Sequence, residues 1–326
     1  MLGTLVLASS LFLPGKIDAQ LPSGMSLDKP TPQMDYPLVF RMEPRLREPN
    51  QNPIAIFEPT FYEKALDMAK RRTVTDGDRN PEPPQIYNYV MQNKEKPLDL
   101  ILDLLSNNQV LLFGEMHSNN HTKKFVTNSL ETLVKHSPIK FLAVEIASKY
   151  QKDIDDFVNN KINAEQLKKR IYYVNRGPSA DMIRKAADLG LRVIAVDGEE
   201  RDEDMIKNLR KEVFDKNPDE KGIVYIGNRH LFESKLGSGS YLTLAAFLNA
   251  LTKEKSASII ISEPRYLTTA CKLENIPENI AFRTTKPPIN KMLLDKDHSD
   301  SASLDVYYNA VDAIITVKAE EFSLSQ

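Results

Sequence analysis

Val110-Leu111-Leu112-Phe113-Gly114-Glu115-Met116-His117 is a short apolar run that passes straight into a glycine, an acid and a histidine. Val224-Tyr225-Ile226-Gly227-Asn228-Arg229-His230 repeats the plan. Each run reads as a buried strand, Gln109–Phe113 and Gly222–Ile226. Each glycine permits a tight turn or close backbone approach, and each histidine, three residues on, reaches over the sheet edge.

Outward from these two stretches the pattern is regular. Asn119–Lys135 is an amphipathic helix with Phe125, Leu130, Leu133 and Val134 inward, and Ile139–Val144 is a strand. Helices follow over 150–159, 164–172 and 179–189, the last closed by Gly190. Leu191–Val196 is a strand, Arg201–Phe214 a helix, Tyr241–Leu251 a helix, and Ala257–Ile261 and Ala313–Val317 strands. Near-continuous apolar strands alternating with helices predict an α/β fold, a mostly parallel sheet with helices on both faces. Residues 275–305 show no period and read as a long irregular loop.

The N-terminal part is different. Thirteen of the 20 prolines precede residue 98. Residues 1–19 hold an apolar run of signal-peptide length without a basic start, which points to export into a periplasm or to the outside, with a cytoplasmic location as the alternative. Residues 20–97 read as an extended Pro-rich arm with short helices over 61–72 and 86–92, and a helix over 98–105 leads into the main domain. The expected organisation is a possible signal peptide at 1–19, the arm at 20–97, the α/β domain at 98–319 and a tail at 320–326.

Composition narrows the function. The chain has 43 Lys and Arg against 45 Asp and Glu, a net charge of −2, so nothing in the total charge offers the basic face that a nucleic-acid partner needs. One cysteine, Cys271, excludes an internal disulfide framework and a CxxC metal or redox site. No apolar run is long enough for a transmembrane helix. Walker A, GxGxxG, HExxH and GxSxG motifs are absent.

The strand ends carry the chemistry. The first strand runs into Gly114-Glu115-Met116-His117, the second ends at Glu145, the third at Asp197-Gly198, the fourth runs into Gly227-Asn228-Arg229-His230, and the fifth ends at Glu263. In a parallel sheet all these ends share one edge, where open α/β proteins place a ligand crevice. Glu145 closes a core strand, where a charge is costly unless paired. Asp197 before Gly198 also suits an ordinary turn. Arg229 is a candidate anion binder or a partner for Glu145. Both histidines follow edge glycines, so neither is expected to fill core volume.

These same residues resemble the Tiki/ChaN-like superfamily, which takes in haem-uptake ChaN proteins, TraB/GumN and Tiki proteins, erythromycin esterases and toxin-associated domains. The ChaN branch is nearest, through Gly114-Glu115-Met116-His117 with His121, and Val144-Glu145-Ile146 before Gln151. The resemblance covers about residues 98–319. It implies an α/β core with the site at Glu115, His117, Glu145 and His230.

Two function classes remain open on sequence. The first is an ester or amide hydrolase acting on a small molecule or peptide, with His117 or His230 as base, Glu145 or Glu115 as its partner, and Gly114, Asp197, Gly227 and Arg229 contacting substrate. A divalent metal, Zn or Mn, would sit on His117, Glu145 and His230. The second is a haem-binding, iron-uptake protein with a His or Tyr such as Tyr225 on the iron. A toxin- or effector-type domain with a degenerate site is a third reading.

Overall fold

The computed structural model describes residues 59–71, 83–115, 117, 119–175, 177–233, 242–262, 264, 275–286, 293–296, 305–307 and 311–317. The expected signal peptide and most of the arm lie outside these residues, as do Glu263 and the tail.

Helices α1 (Pro59–Arg71), α2 (Pro83–Gln92) and α3 (Pro97–Asn107) come first, and then the alternation begins. It runs β1 (Val110–Glu115), α4 (Asn120–His136), β2 (Phe141–Ala147), α5 (Gln151–Val158), α6 (Ala164–Arg170), α7 (Ala180–Asp188), β3 (Arg192–Asp197), α8 (Asp202–Leu209), β4 (Gly222–Gly227), α9 (Leu244–Thr252) and β5 (Ser256–Ser262). Short strands β6 (Ile280–Arg283), β7 (Leu293–Lys296), β8 (Asp305–Tyr307) and β9 (Ala313–Thr316) complete the described part. Local signals fix the helix ends. Asn119 caps α4 by accepting the His121 and Thr122 N–H groups, Ser179 caps α7 by accepting from Met182, and Gly190 follows α7 at φ +79°.

The main sheet has the order β3-β2-β4-β1-β5-β9-β6. All its pairs are parallel except β6 on β9. Its inner strands are buried along their length, the pattern of a sheet covered on both sides. On one face Leu111, Phe113, Val144 and Tyr225 pack with Phe125 and Leu133 of α4 and Ile183 of α7 in a continuous core. Helix α9 is mostly apolar and buried along nearly its whole length, and α1 packs on it, with Phe61 stacked on Phe247 at 6.3 Å.

Three details differ from the sequence reading. Residues 275–305 hold β6 and the antiparallel pair β7–β8. Four residues of β6 are too few to show a period, yet Ile280, Ala281 and Phe282 bury themselves beside β9. Asn228–His230 after Gly227 form a 3-10 turn, and α9 begins at Leu244, three residues after the expected start at Tyr241. The expected helix 201–214 is α for eight residues and then a π turn, Arg210–Phe214.

Candidate active site

The topology decides the site. β4 lies between β2 and β1, so the two strands that carry G-x-x-H are direct neighbours, with Glu115 paired in register to Gly227. β2 flanks β4 on its other side, and the β2–β3 register shifts between Val144 and Ala147, across Glu145. Such an irregularity re-aims a side chain at a strand end.

Glu145 is the hub. It is buried, and its Oε2 accepts the Gly227 N–H at 2.7 Å. His117 Nε2 lies 3.8 Å from that oxygen, and His230 Nε2 lies 3.4 Å from Oε1. Arg201 donates to Oε1 at 2.9 Å. Burial alone would push this carboxyl up, but the hydrogen bond and charge of His230, the charge of His117 and the Gly227 N–H outweigh burial and bring it to about 2.

The two histidines differ in kind. The His230 side chain is 6% exposed, and Nδ1 lies 2.8 Å from Asp202 Oδ1, which also accepts the Leu244 N–H. Burial opposes its charge, yet Asp202 and Glu145 raise it to about 10. It is therefore a fixed imidazolium at neutral pH. Its 3.1 Å approach to Arg201 is a contact between two donors that share Glu145 Oε1. The expectation that His230 fills no core volume is thus overturned. The His117 side chain is 37% exposed. Its Nδ1 lies 3.1 Å from Glu115 Oε1, and the Tyr173 hydroxyl lies 2.7 Å from both ring nitrogens. Burial and the charges of Glu145 and Glu115 push the Tyr173 phenol up, so it stays a neutral donor.

The remaining sequence candidates divide. Glu115, His117, Glu145, Gly227 and His230 come together as described. Asp197 faces the same charges, and burial followed by Glu145 pushes its carboxyl up. Its Oδ1 is buried with no hydrogen-bond partner among the described residues. Gly114 is backed by protein: a Cβ there would meet Leu231 at 2.0 Å and the Asn228 amide at 2.4 Å. Arg229 is exposed, and the cation paired with Glu145 is Arg201. Tyr225, weighed as an iron ligand, is buried and donates its O–H to Glu115. Sequence reasoning missed Arg201, Asp202 and Tyr173. Arg201 and Asp202 begin the helix after Asp197-Gly198, so the strand-end rule that found Asp197 extends to them. Tyr173 leaves no signal, because it lies in a 3-10 turn after α6.

A divalent metal shared by His117, Glu145 and His230 does not fit these donors. For a divalent metal on His117, Glu145 and His230, the Arg201 guanidinium stands against the shared carboxylate, and His230 holds its proton between two acids. Among the described residues no three His, Cys, Asp or Glu side chains are arranged to hold a metal ion. For haem iron, Tyr225 is engaged by Glu115 and Tyr173 is held as a phenol, which leaves the half-exposed His117 as the side chain of the site that could reach it.

Residues 101–201 match the family model described as haem-binding uptake, Tiki superfamily, ChaN. Over this stretch the chain is similar to that family. No curated protein matches it. Among solved structures, a protein from Bacillus cereus is 11% identical with a TM-score of 0.53, covering 73% of this chain and 97% of that one. A mutant of the erythromycin esterase EreC in its open conformation is 12% identical with a TM-score of 0.50, covering 69% of this chain and 97% of that one. ChaN of Campylobacter jejuni, solved with cofacial haem, is 15% identical with a TM-score of 0.36, covering 53% of this chain and 89% of that one. At these identities the Bacillus cereus and EreC likenesses show the shared α/β fold. The family match spans Glu115, His117, Glu145, Asp197 and Arg201 but stops before the second G-x-x-H at Gly227. No helix among the described residues is long and apolar enough to cross a membrane.

Proposed function

We propose that this site hydrolyses an ester or amide bond in a small molecule or peptide, with His117 as the general base. One observation carries the reading: Glu145 joins two histidines of opposite character, one buried and fixed as a cation, the other half-open to solvent. Glu115 at Nδ1 favours the His117 tautomer whose Nε2 carries the lone pair, and the Tyr173 O–H at 2.7 Å gives that lone pair up to the incoming water. That nitrogen takes a proton from water as the water oxygen bonds to the acyl carbon. The Tyr173 O–H and the half-exposed Arg201 guanidinium stand ready to steady the oxyanion. His117 then returns its proton to the departing alcohol or amine, and water has been divided between the two products. General base assistance of this kind contributes about 10²–10⁴ in rate. His230 takes no proton in this scheme. It keeps Glu145 ionised, and Glu145 in turn stabilises the imidazolium formed at His117.

The EreC likeness is compatible with ester hydrolysis but shows the fold alone. Turnover of a panel of acyl esters and amides by wild type and by Glu145→Gln tests the reading. Hydrolysis that Glu145→Gln loses while it keeps a cooperative thermal transition supports it. Equal turnover by both proteins would remove Glu145 from the reaction.

A further inference from the structure

Four acids converge on the site, and three of them have partners. Glu145 pairs with Arg201, Asp202 pairs with His230, and Glu115 is held by His117 and the Tyr225 O–H. Asp197 is the fourth. Among the described residues it makes no ion pair, and its buried Oδ1 accepts no hydrogen bond. Strand register places it. Val144 of β2 pairs with Ala195 of β3 on one side and with Tyr225 of β4 on the other, and all three side chains lie on the same core face. Alternation puts Asp197 and Gly227, each two residues further on, on that face in the next row, either side of β2. Two strand spacings, about 10 Å, separate them. A Cβ at Gly227 would stand 2.9 Å from the His117 ring. Asp197 and His117 therefore flank the Glu145 hub across a gap that a small molecule spans. Asp197 is only half-buried, so a ligand in the crevice reaches its side chain. Burial, and after it the Glu145 charge, push this carboxyl up against the Gly198 N–H, Arg201 and His230. A buried acceptor without a donor and a carboxylate without a counter-ion are both costly, and one bound cation removes both costs.

We propose that the substrate of this site carries a positively charged amine, which donates to the free oxygen of Asp197 across β2 from the His117 base. The charges of the site agree in sign. Glu115, Glu145, Asp197 and Asp202 stand against Arg201, His230 and, beside Glu115, Lys123, which leaves one carboxylate in excess. An ammonium is a compact charge with three donors, and its attraction to a carboxylate is stronger in a half-buried crevice than in bulk water. The inference rests on the hydrolytic reading for the reaction beside the amine, but its test is binding and needs no turnover.

The experiment titrates the full chain with alaninamide and, separately, with N-acetylalaninamide, which shares its skeleton but lacks the charge. The pH is about 6.5, where the free amine is protonated, and ionic strength is held constant with sodium chloride. A saturable rise in thermal midpoint of about 3 °C or more is expected with alaninamide, and a much smaller one with the acetylated compound. Asp197→Asn keeps the shape and removes the charge, and should weaken alaninamide binding at least tenfold. Asp197→Ser serves the same comparison if the asparagine variant does not fold. No saturable shift with alaninamide, an equal shift with N-acetylalaninamide, or equal affinity in Asp197→Asn overturns the proposal. His117→Ala should retain the alaninamide shift while losing turnover. Amine binding in a protein that hydrolyses nothing would defeat the hydrolytic reading and leave the amine site standing. Hydrolysis without any preference for the charged ligand would do the reverse.

Discussion

Arg201 reaches Glu145 Oε1 at 2.9 Å from a backbone with φ +47° and ψ −110°. Residues with a side chain rarely occupy that region, and holding one there costs about 1–3 kcal/mol. Strain of this sort persists where surrounding structure enforces it, and here it aims a guanidinium at the hub of the site. Arg201→Gly should therefore be more stable than Arg201→Ala by about 1–2 kcal/mol in chemical denaturation, since both lose the ion pair and only glycine relaxes the backbone. Both should lose activity together. Equal stability of the two variants would show that the backbone is not strained.

The paired acids predict a pH profile of stability. Glu145 sits at about 2 against an ordinary 4.5, so its contribution is present above about 4.5 and is lost as pH falls through about 2. His230 sits at about 10 against 6.5, so its contribution is complete below about 6.5 and is lost as pH rises through about 10. The thermal midpoint should fall between pH 7 and pH 10 in wild type. Asp202→Asn, which removes the anion that does most to hold the proton, should shift that fall to lower pH. By NMR the His230 ring should still be an imidazolium at pH 8; a neutral ring there would refute the assignment of fixed cation.

The two motif glycines should fail differently. A Cβ at Gly227 would stand 2.9 Å from His117 Cε1 and Nε2 and 3.2 Å from Glu145 Oε2. Gly227→Ala should therefore cut activity while costing little stability, because a half-open histidine can move aside. A Cβ at Gly114 meets buried Leu231 and Asn228 instead. Gly114→Ala should destabilise by about 1–3 kcal/mol through overpacking. Thermal midpoints and turnover measured on the pair separate the roles, and a reversed pattern would contradict the packing described.

Tyr173→Phe removes the hydroxyl 2.7 Å from His117 without changing the ring that lies against it. The variant should fold with a wild-type melting transition and lose about tenfold or more in kcat, with a smaller change in KM. A KM effect alone would make Tyr173 a binding residue.

The sheet was legible because β1, β2, β4 and β5 are apolar runs buried on both faces, and periodicity reports burial directly. The strand-end rule placed Glu115, His117, Glu145 and His230 on one edge without any coordinates. Sequence could not tell the histidines apart. Both follow a glycine by three residues, and the difference between them is Asp202 and Leu244, brought to His230 by the packing of α8 and α9. Arg229 stood next to the motif and looked like the partner of Glu145, but a 3-10 turn directs it to solvent and leaves the role to Arg201. β6 was missed because an antiparallel edge strand of four residues depends on β9 rather than on its own period.

The central claim is that Glu145 and His117 perform hydrolysis together, with no metal. The most direct measurement is kcat/KM for an activated aryl ester such as p-nitrophenyl acetate, for wild type, His117→Ala, Glu145→Gln and the double variant, each with and without a chelator. The account predicts that each single variant loses about 10²-fold or more, that the double variant loses little beyond either, and that the chelator changes nothing. Wild-type rates in His117→Ala, additive losses in the double variant, or activity abolished by the chelator would contradict it.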